Sequence, residues 1–219
     1  MSTDARPEAG LTPERPEAGL TPERLAFFTD AIFAIAMTLL AVDLEHPDDE
    51  QLGSGRALWD FLVDQRGSYV AFALAFGLLW SVWRRHHQLM DRVRRLSGAF
   101  AFWHAPFLLL VAFLPFPTAV AGASIGNPTA QTLFAGTMAA MVCCEAVLKE
   151  ISVAAGLLTD DPAATRHDAG ASWSVGVWFA LSAGLAWLLP HAYVMWFLAP
   201  AAAACGALLL TRLRSRTDR

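Results

Sequence analysis

Charge is scarce in this sequence. Only 16% of its 219 residues are charged, 55% are hydrophobic, and the mean hydropathy is +0.41. Soluble domains carry about 25% charged residues, so a soluble chain of this length would be short of charge for its surface. Lysine is almost missing: Lys149 stands alone against fifteen arginines, a bias that suits a GC-rich bacterial genome. Cysteine is sparse too. Cys143, Cys144 and Cys205 all lie in apolar blocks, two are adjacent, and no C-x-x-C occurs. That excludes a secreted disulfide framework, and the three read as small apolar residues. There is no G-x-S-x-G, no Walker-type loop and no nucleotide fingerprint. A net charge of −4 suggests no nucleic-acid partner.

What the chain has instead is long apolar runs. A membrane span needs roughly 20 predominantly apolar residues, and six stretches approach that length: Leu25 to Leu44, Gly67 to Trp83, Leu96 to Val120, Thr129 to Leu148, Ala171 to Leu189 and Tyr193 to Leu210. The third is interrupted near its end by Pro115 and Pro117, and Pro190 and His191 mark a tight turn between the last two. The runs are continuous rather than alternating, which favours helices over barrel strands. The expectation is an all-α, polytopic membrane protein: a disordered tail over 1–24, a six-helix domain over 25–212 and a tail over 213–219. The first tail holds a tandem repeat, RPEAGLTPE at Arg6 to Glu14 and again at Arg15 to Glu23. Its prolines and lack of apolar periodicity read as disorder, and nine residues is too short for a solenoid unit.

Charge predicts orientation. With the N-terminus in the cytoplasm and six spans, fourteen of the sixteen basic residues fall in cytoplasmic segments, and only Arg56 and Arg66 fall outside. By the positive-inside rule this predicts both termini inside. Five of those arginines, Arg84 to Arg95, are expected in one short loop. The first outer loop is acidic, with Asp43, Glu45, Asp48, Asp49, Glu50, Asp60 and Asp64. It reads either as a solvated loop or as a vestibule that concentrates cations.

The first span carries the most information. Asp30 lies about one and a half turns inside it, with Thr29 beside it and Arg24 at the membrane edge. An intramembrane charge costs at least about 2.5 kcal/mol on insertion scales and normally has a partner. Arg24 is six residues away, not a same-face spacing, so pairing would run through another helix. Alternatively, Asp30 sits at headgroup level near a helix N-terminus. Further along, Ile35, Leu39 and Val42 share one stripe at i, i+4 and i+7, with Thr38 next to it.

These residues carry a family resemblance. The run Arg24-x-x-x-Phe28-Thr29-Asp30, followed by Phe33-Ala34-Ile35 and Thr38-Leu39-Leu40, resembles the signature of the transmembrane protein 175 potassium channel family, R-x-x-x-F-S-D and then F-A-I…T-L-L. Thr29 replaces the usual serine but keeps the hydroxyl. Trp83-x-x-His86-His87 and Leu114-Pro115-Phe116-Pro117-Thr118 are similar to two further family motifs, so the resemblance covers about residues 24 to 120. It implies a potassium-preferring channel in a bacterial cytoplasmic membrane, assembled as a homotetramer around the first helix. That family lacks the T-V-G-Y-G filter, as this chain does. The resemblance implies a pore gate of apolar rings at Ile35, Leu39 and Val42, with Ile35 narrowest, and a link of Thr38 to potassium preference. It also implies a polar network of Arg24, Thr29, Asp30, Trp83 and His86 or His87. The partners are then potassium ions and the lipid bilayer, with no cofactor and no enzymatic activity.

The same residues suit two other function classes. A proton-coupled secondary transporter would use Asp30 as a relay and usually shows inverted repeats. A membrane-embedded enzyme would have to draw on His86, His104 and Glu145. His86 and His87 point about 100° apart on a helix, and with His104, Cys143, Cys144 and Glu145 they repeat no metal-ligand spacing. Glu145 near the end of the fourth span reads as snorkelling to the interface, and His104 as a core partner or a proton-responsive group.

Overall fold

The computed structural model describes residues 20–159, 162–201 and 203–204. The first tandem repeat and part of the second, Cys205, the end of the sixth apolar stretch and the tail 213–219 lie outside these residues. The described chain is helical, and its only pairing of β type among the described residues is one isolated bridge, Val93 with Leu158. The helices are α1 (Pro22–Val42), α2 (Asp49–Leu52), α3 (Gly55–Asp64), α4 (Arg66–Arg92), α5 (Gly98–Phe113), α6 (Pro115–Ala123), α7 (Pro128–Ala154) and α8 (Pro162–Leu185). A 3-10 helix, Ala192–Leu198, follows.

The boundaries follow local chemistry. α1 starts where the Thr21 hydroxyl accepts from the Arg24 N–H, with Pro22 in the first turn and Glu23 facing the positive helix end. Asn127 caps α7 in the same way, and Pro128 follows it. The expected break in the third stretch lies at Leu114, which ends α5 and precedes α6. Pro115 and Pro117 have no N–H to give to the preceding turn. α4 corrects one expectation. It continues nine residues beyond Trp83, so Arg84, Arg85 and Arg92 sit on its last turns and only Arg94 and Arg95 belong to the linker. Hydropathy ends at Trp83, but helical hydrogen bonding does not require apolar side chains.

Among the described residues, three helical segments are long and apolar enough to cross a membrane: Pro22–Val42, Gly98–Ala123 and Pro128–Ala154. α7 and α8 make the most extensive helix pair, and α7 also packs on α5 and α6, whereas α1 packs on α4 and α5. Glycines set two close approaches. A Cβ on Gly176 of α8 would lie 2.6 Å from Cys143 Sγ on α7, and one on Gly67 of α4 would lie 2.8 Å from the Gly122 carbonyl oxygen of α6. The core is built from Phe33, Leu79, Phe100, Phe107, Phe134, Met138 and Phe179, all essentially buried.

Candidate functional site

α1 has two faces. Leu25, Thr29, Phe33, Ala36 and Leu40 are buried, at spacings of three and four that form one stripe. Roughly a third of a turn away, at 100° per residue, lie Ile35, Leu39 and Val42, which are 60%, 41% and 66% exposed. Thr38 is exposed beside them, and its hydroxyl donates to the Ile35 carbonyl at 2.8 Å. Near Asp43 this face borders a pocket of about 290 Å³ lined by Leu39, Phe113 and Phe116. Helix geometry puts Asp30 about 140° around α1 from Ile35, on the opposite flank of the buried stripe, where it is half-buried.

One turn of α4 meets Asp30. Trp83 Nε1–H donates to Asp30 Oδ1 at 2.8 Å, and His87 Nδ1 lies 3.6 Å from the same oxygen. Trp83 and His87 are four residues apart, on one face of α4, and their rings are 5.3 Å apart. His86, between them in number, faces another way. Its Nε2 lies 3.3 Å from His104 Nε2 on α5. His104 Nδ1 is 2.9 Å from the Phe100 carbonyl, and a carbonyl only accepts, so that nitrogen carries hydrogen. In the neutral ring His104 Nε2 must then accept from His86 Nε2–H. That leaves His86 Nδ1 as an acceptor, and it is buried with no partner among the described residues, as is Thr29 Oγ1. Phe107 stacks on His86 at 4.7 Å and on Phe33 of α1 at 5.9 Å, which ties this pair to the buried face of α1.

The structure therefore brings Asp30, Trp83 and His87 together and sets His86 apart with His104. Thr29 is buried beside them, its hydroxyl without a hydrogen-bond partner among the described residues. Arg24 is exposed, and among the described residues no hydrogen bond or ion pair joins its side chain to this group. Of the acidic residues between α1 and α4, Asp49 and Glu50 lie in α2, Asp60 and Asp64 in α3, and Asp48 caps α2; Gln65 Nε2 donates to Glu45 at 2.6 Å.

A second polar cluster sits on the opposite side of the same α4 turn, and the sequence reading missed it. Glu145 is not at the interface but fully buried. Lys149 Nζ lies 2.9 Å from its Oε1 and 2.8 Å from Ser172 Oγ on α8. Arg85 approaches both carboxylate oxygens at 3.4 Å. A buried carboxylate needs such partners, because removing its charge from water costs several kcal/mol. The available signal was the Glu145–Lys149 spacing of i, i+4. The Arg85 contact spans sixty residues and left no local mark.

The family described as "Endosomal/lysosomal potassium channel TMEM175" matches residues 24–115, which contain Asp30, the α1 stripe and the whole α4 turn. A potassium channel of Chamaesiphon minutus is 32% identical over 152 residues, covering 68% of this chain and 73% of its own. A potassium channel of Streptomyces collinus is 37% identical over 97 residues, 44% of this chain and 46% of that one. In three dimensions, the crystal structure of a lysosomal potassium-selective channel TMEM175 homolog from Chamaesiphon minutus is similar with a TM-score of 0.70 and 25% identity, over 84% of this chain and 97% of that one. A variant of the potassium channel MtTMEM175, in complex with a nanobody–MBP fusion protein, shares the fold at a TM-score of 0.60 and 14% identity, over 94% of this chain and 99% of that one.

Proposed function

The chain belongs to the TMEM175 family, and we propose that it is a potassium-preferring channel whose pore is lined by α1 from four copies of the chain. The observation that carries this reading is the inverted coverage of α1. It has the highest mean hydropathy of the three candidate spans, 2.2, yet only 28% of its most apolar stretch is buried. Ile35, Leu39 and Val42 stand uncovered on a straight stripe, while the polar Asp30 is held inward by Trp83. In a tetramer with the stripe facing the axis, each of these residues becomes a ring of four apolar side chains. Such a ring excludes water and gates by dewetting. Ile35 forms the narrowest ring, Thr38 contributes to potassium preference, and Arg24, Thr29, Asp30, Trp83, His86 and His87 fix the rotation of α1 about its own axis.

The same reading places six spans in a bacterial cytoplasmic membrane with both termini inside. The arginine-rich end of α4 is then cytoplasmic and the acidic α2–α3 segment external, in keeping with the positive-inside rule. Purified protein in liposomes under a potassium gradient tests the function. Potassium current that rises linearly without saturation, from particles of tetrameric mass in detergent, is the expected result. Saturable, proton-linked flux would instead mean a carrier, and monomeric particles would remove the pore.

A further inference from the structure

We propose that Arg85 is a positioning residue that couples the α7–α8 pair to the pore helix through α4. This rests on the channel reading above. Arg85 lies two residues from both Trp83 and His87, which at 100° per residue sets it on the opposite side of α4. Trp83 and His87 hold Asp30 of α1. Arg85 holds Glu145 of α7 with Nε and Nη2 each 3.4 Å from one carboxylate oxygen. That carboxylate is fixed in turn by Lys149, and Lys149 by Ser172 of α8.

α4 has little other hold on that pair. α7 and α8 pack chiefly on each other and, through α7, on α5 and α6, while direct packing of α4 on α7 is slight. Among the described residues, the other tie is a clasp between the linkers. Gly156, at φ +59°, ends α7 in a Schellman turn in which the Leu157 N–H donates to the Ser152 carbonyl at 2.9 Å and the Gly156 N–H to that of Val153 at 3.2 Å. This brings Leu157–Thr159 against Arg92–Arg94. The Arg94 N–H donates to the Leu157 carbonyl at 2.9 Å and the Thr159 N–H to the Arg92 carbonyl at 2.8 Å. Arg92 also reaches Asp168 of α8 at 3.8 Å. The clasp secures the end of α4, and Arg85 secures the turn that carries Trp83 and His87. Any shift of α7 and α8 is thus delivered to Asp30, and through it to the rotation of the Ile35 stripe.

Single-channel recording in planar bilayers tests this, using the full chain and four proteins: wild type, Arg85→Gln, Trp83→Phe and the double variant. Trp83→Phe removes the indole N–H while keeping an aromatic ring. Arg85→Gln is expected to change open probability by at least about five-fold, with unitary current, potassium preference and tetrameric mass unchanged. In the Trp83→Phe background the same substitution is expected to change it less than about two-fold, the non-additivity of groups acting in one chain. Arg85→Lys, which keeps the charge but not the fork, should fall between wild type and Arg85→Gln, and it serves if Arg85→Gln does not assemble. An Arg85→Gln effect below about two-fold, or an equal effect in both backgrounds, would overturn the coupling. Absence of potassium current from the wild type would instead overturn the channel reading.

Discussion

α1 and α7 are both long apolar helices, yet they are covered in opposite ways. α1 has a mean hydropathy of 2.2 and is 28% buried over its most apolar stretch, whereas α7 has 1.4 and is 61% buried. The more apolar helix is the less covered. α7 also carries the charged pair Glu145–Lys149 in full burial, while α1 leaves Ile35, Leu39 and Val42 bare. The difference teaches that hydropathy locates a span but not its task. α7 is the protomer's own core, and its charges are tolerated because the fold supplies partners for them. α1 leaves open the apolar stripe that the proposed tetramer would cover.

The contrast can be broken by substitution, with stability of the protomer fold as the common scale. Glu145→Ala should have the largest effect, about 3–5 kcal/mol by unfolding in detergent, because it leaves Lys149 buried with its ion partner gone. Glu145→Gln combined with Lys149→Met should lose only about 1 kcal/mol, since a buried pair replaced by neutral side chains of similar size is nearly neutral and Arg85, partly exposed, keeps an amide oxygen to bond. Equal losses in the two proteins would show that the pair's charge is not what matters. Next comes Gly176→Ala, expected to cost about 1–3 kcal/mol because its Cβ would meet Cys143 Sγ at 2.6 Å. Gly136→Ala on α7 has open space at its Cβ and should gain about 0.5–1 kcal/mol. Asp30→Ala should cost the protomer only about 1 kcal/mol, a partly exposed hydrogen bond, but should abolish the tetramer by size-exclusion mass. A stable tetramer of Asp30→Ala would detach the polar cluster from α1 orientation.

These differences also mark what the sequence made legible. The α1 and α7 runs and the stop at Pro115 are local in origin, hydropathy and missing N–H groups, whereas the residues alone left Asp30 between a partner on another helix and a place at headgroup level, and only the family resemblance pointed to Trp83. The extension of α4 past Trp83 was hidden because its last turns are polar, and hydropathy cannot see a polar helix. The separation of His86 from His87 follows from 100° per residue, but the choice of His104 as partner depends on how α5 lies across α4. Glu145 was misread for the same reason. Seen along α7 alone it looks like a carboxylate reaching for solvent, and only the packing of α4 and α8 around it shows that Arg85, Lys149 and Ser172 do the work of water. The Gly176–Cys143 approach is likewise a property of two helices and of neither sequence segment alone.

The smallest effect on the fold should accompany the largest effect on conduction. Ile35→Asn changes an exposed side chain, and the protomer should stay within about 0.5 kcal/mol of wild type. In the tetramer it would place four amides in the narrowest ring and wet it. The decisive measurement is potassium leak through Ile35→Asn against wild type in liposomes, with tetrameric mass confirmed for both. Leak that rises several-fold in the variant is the predicted result. Unchanged flux from intact Ile35→Asn tetramers would contradict a pore lined by α1.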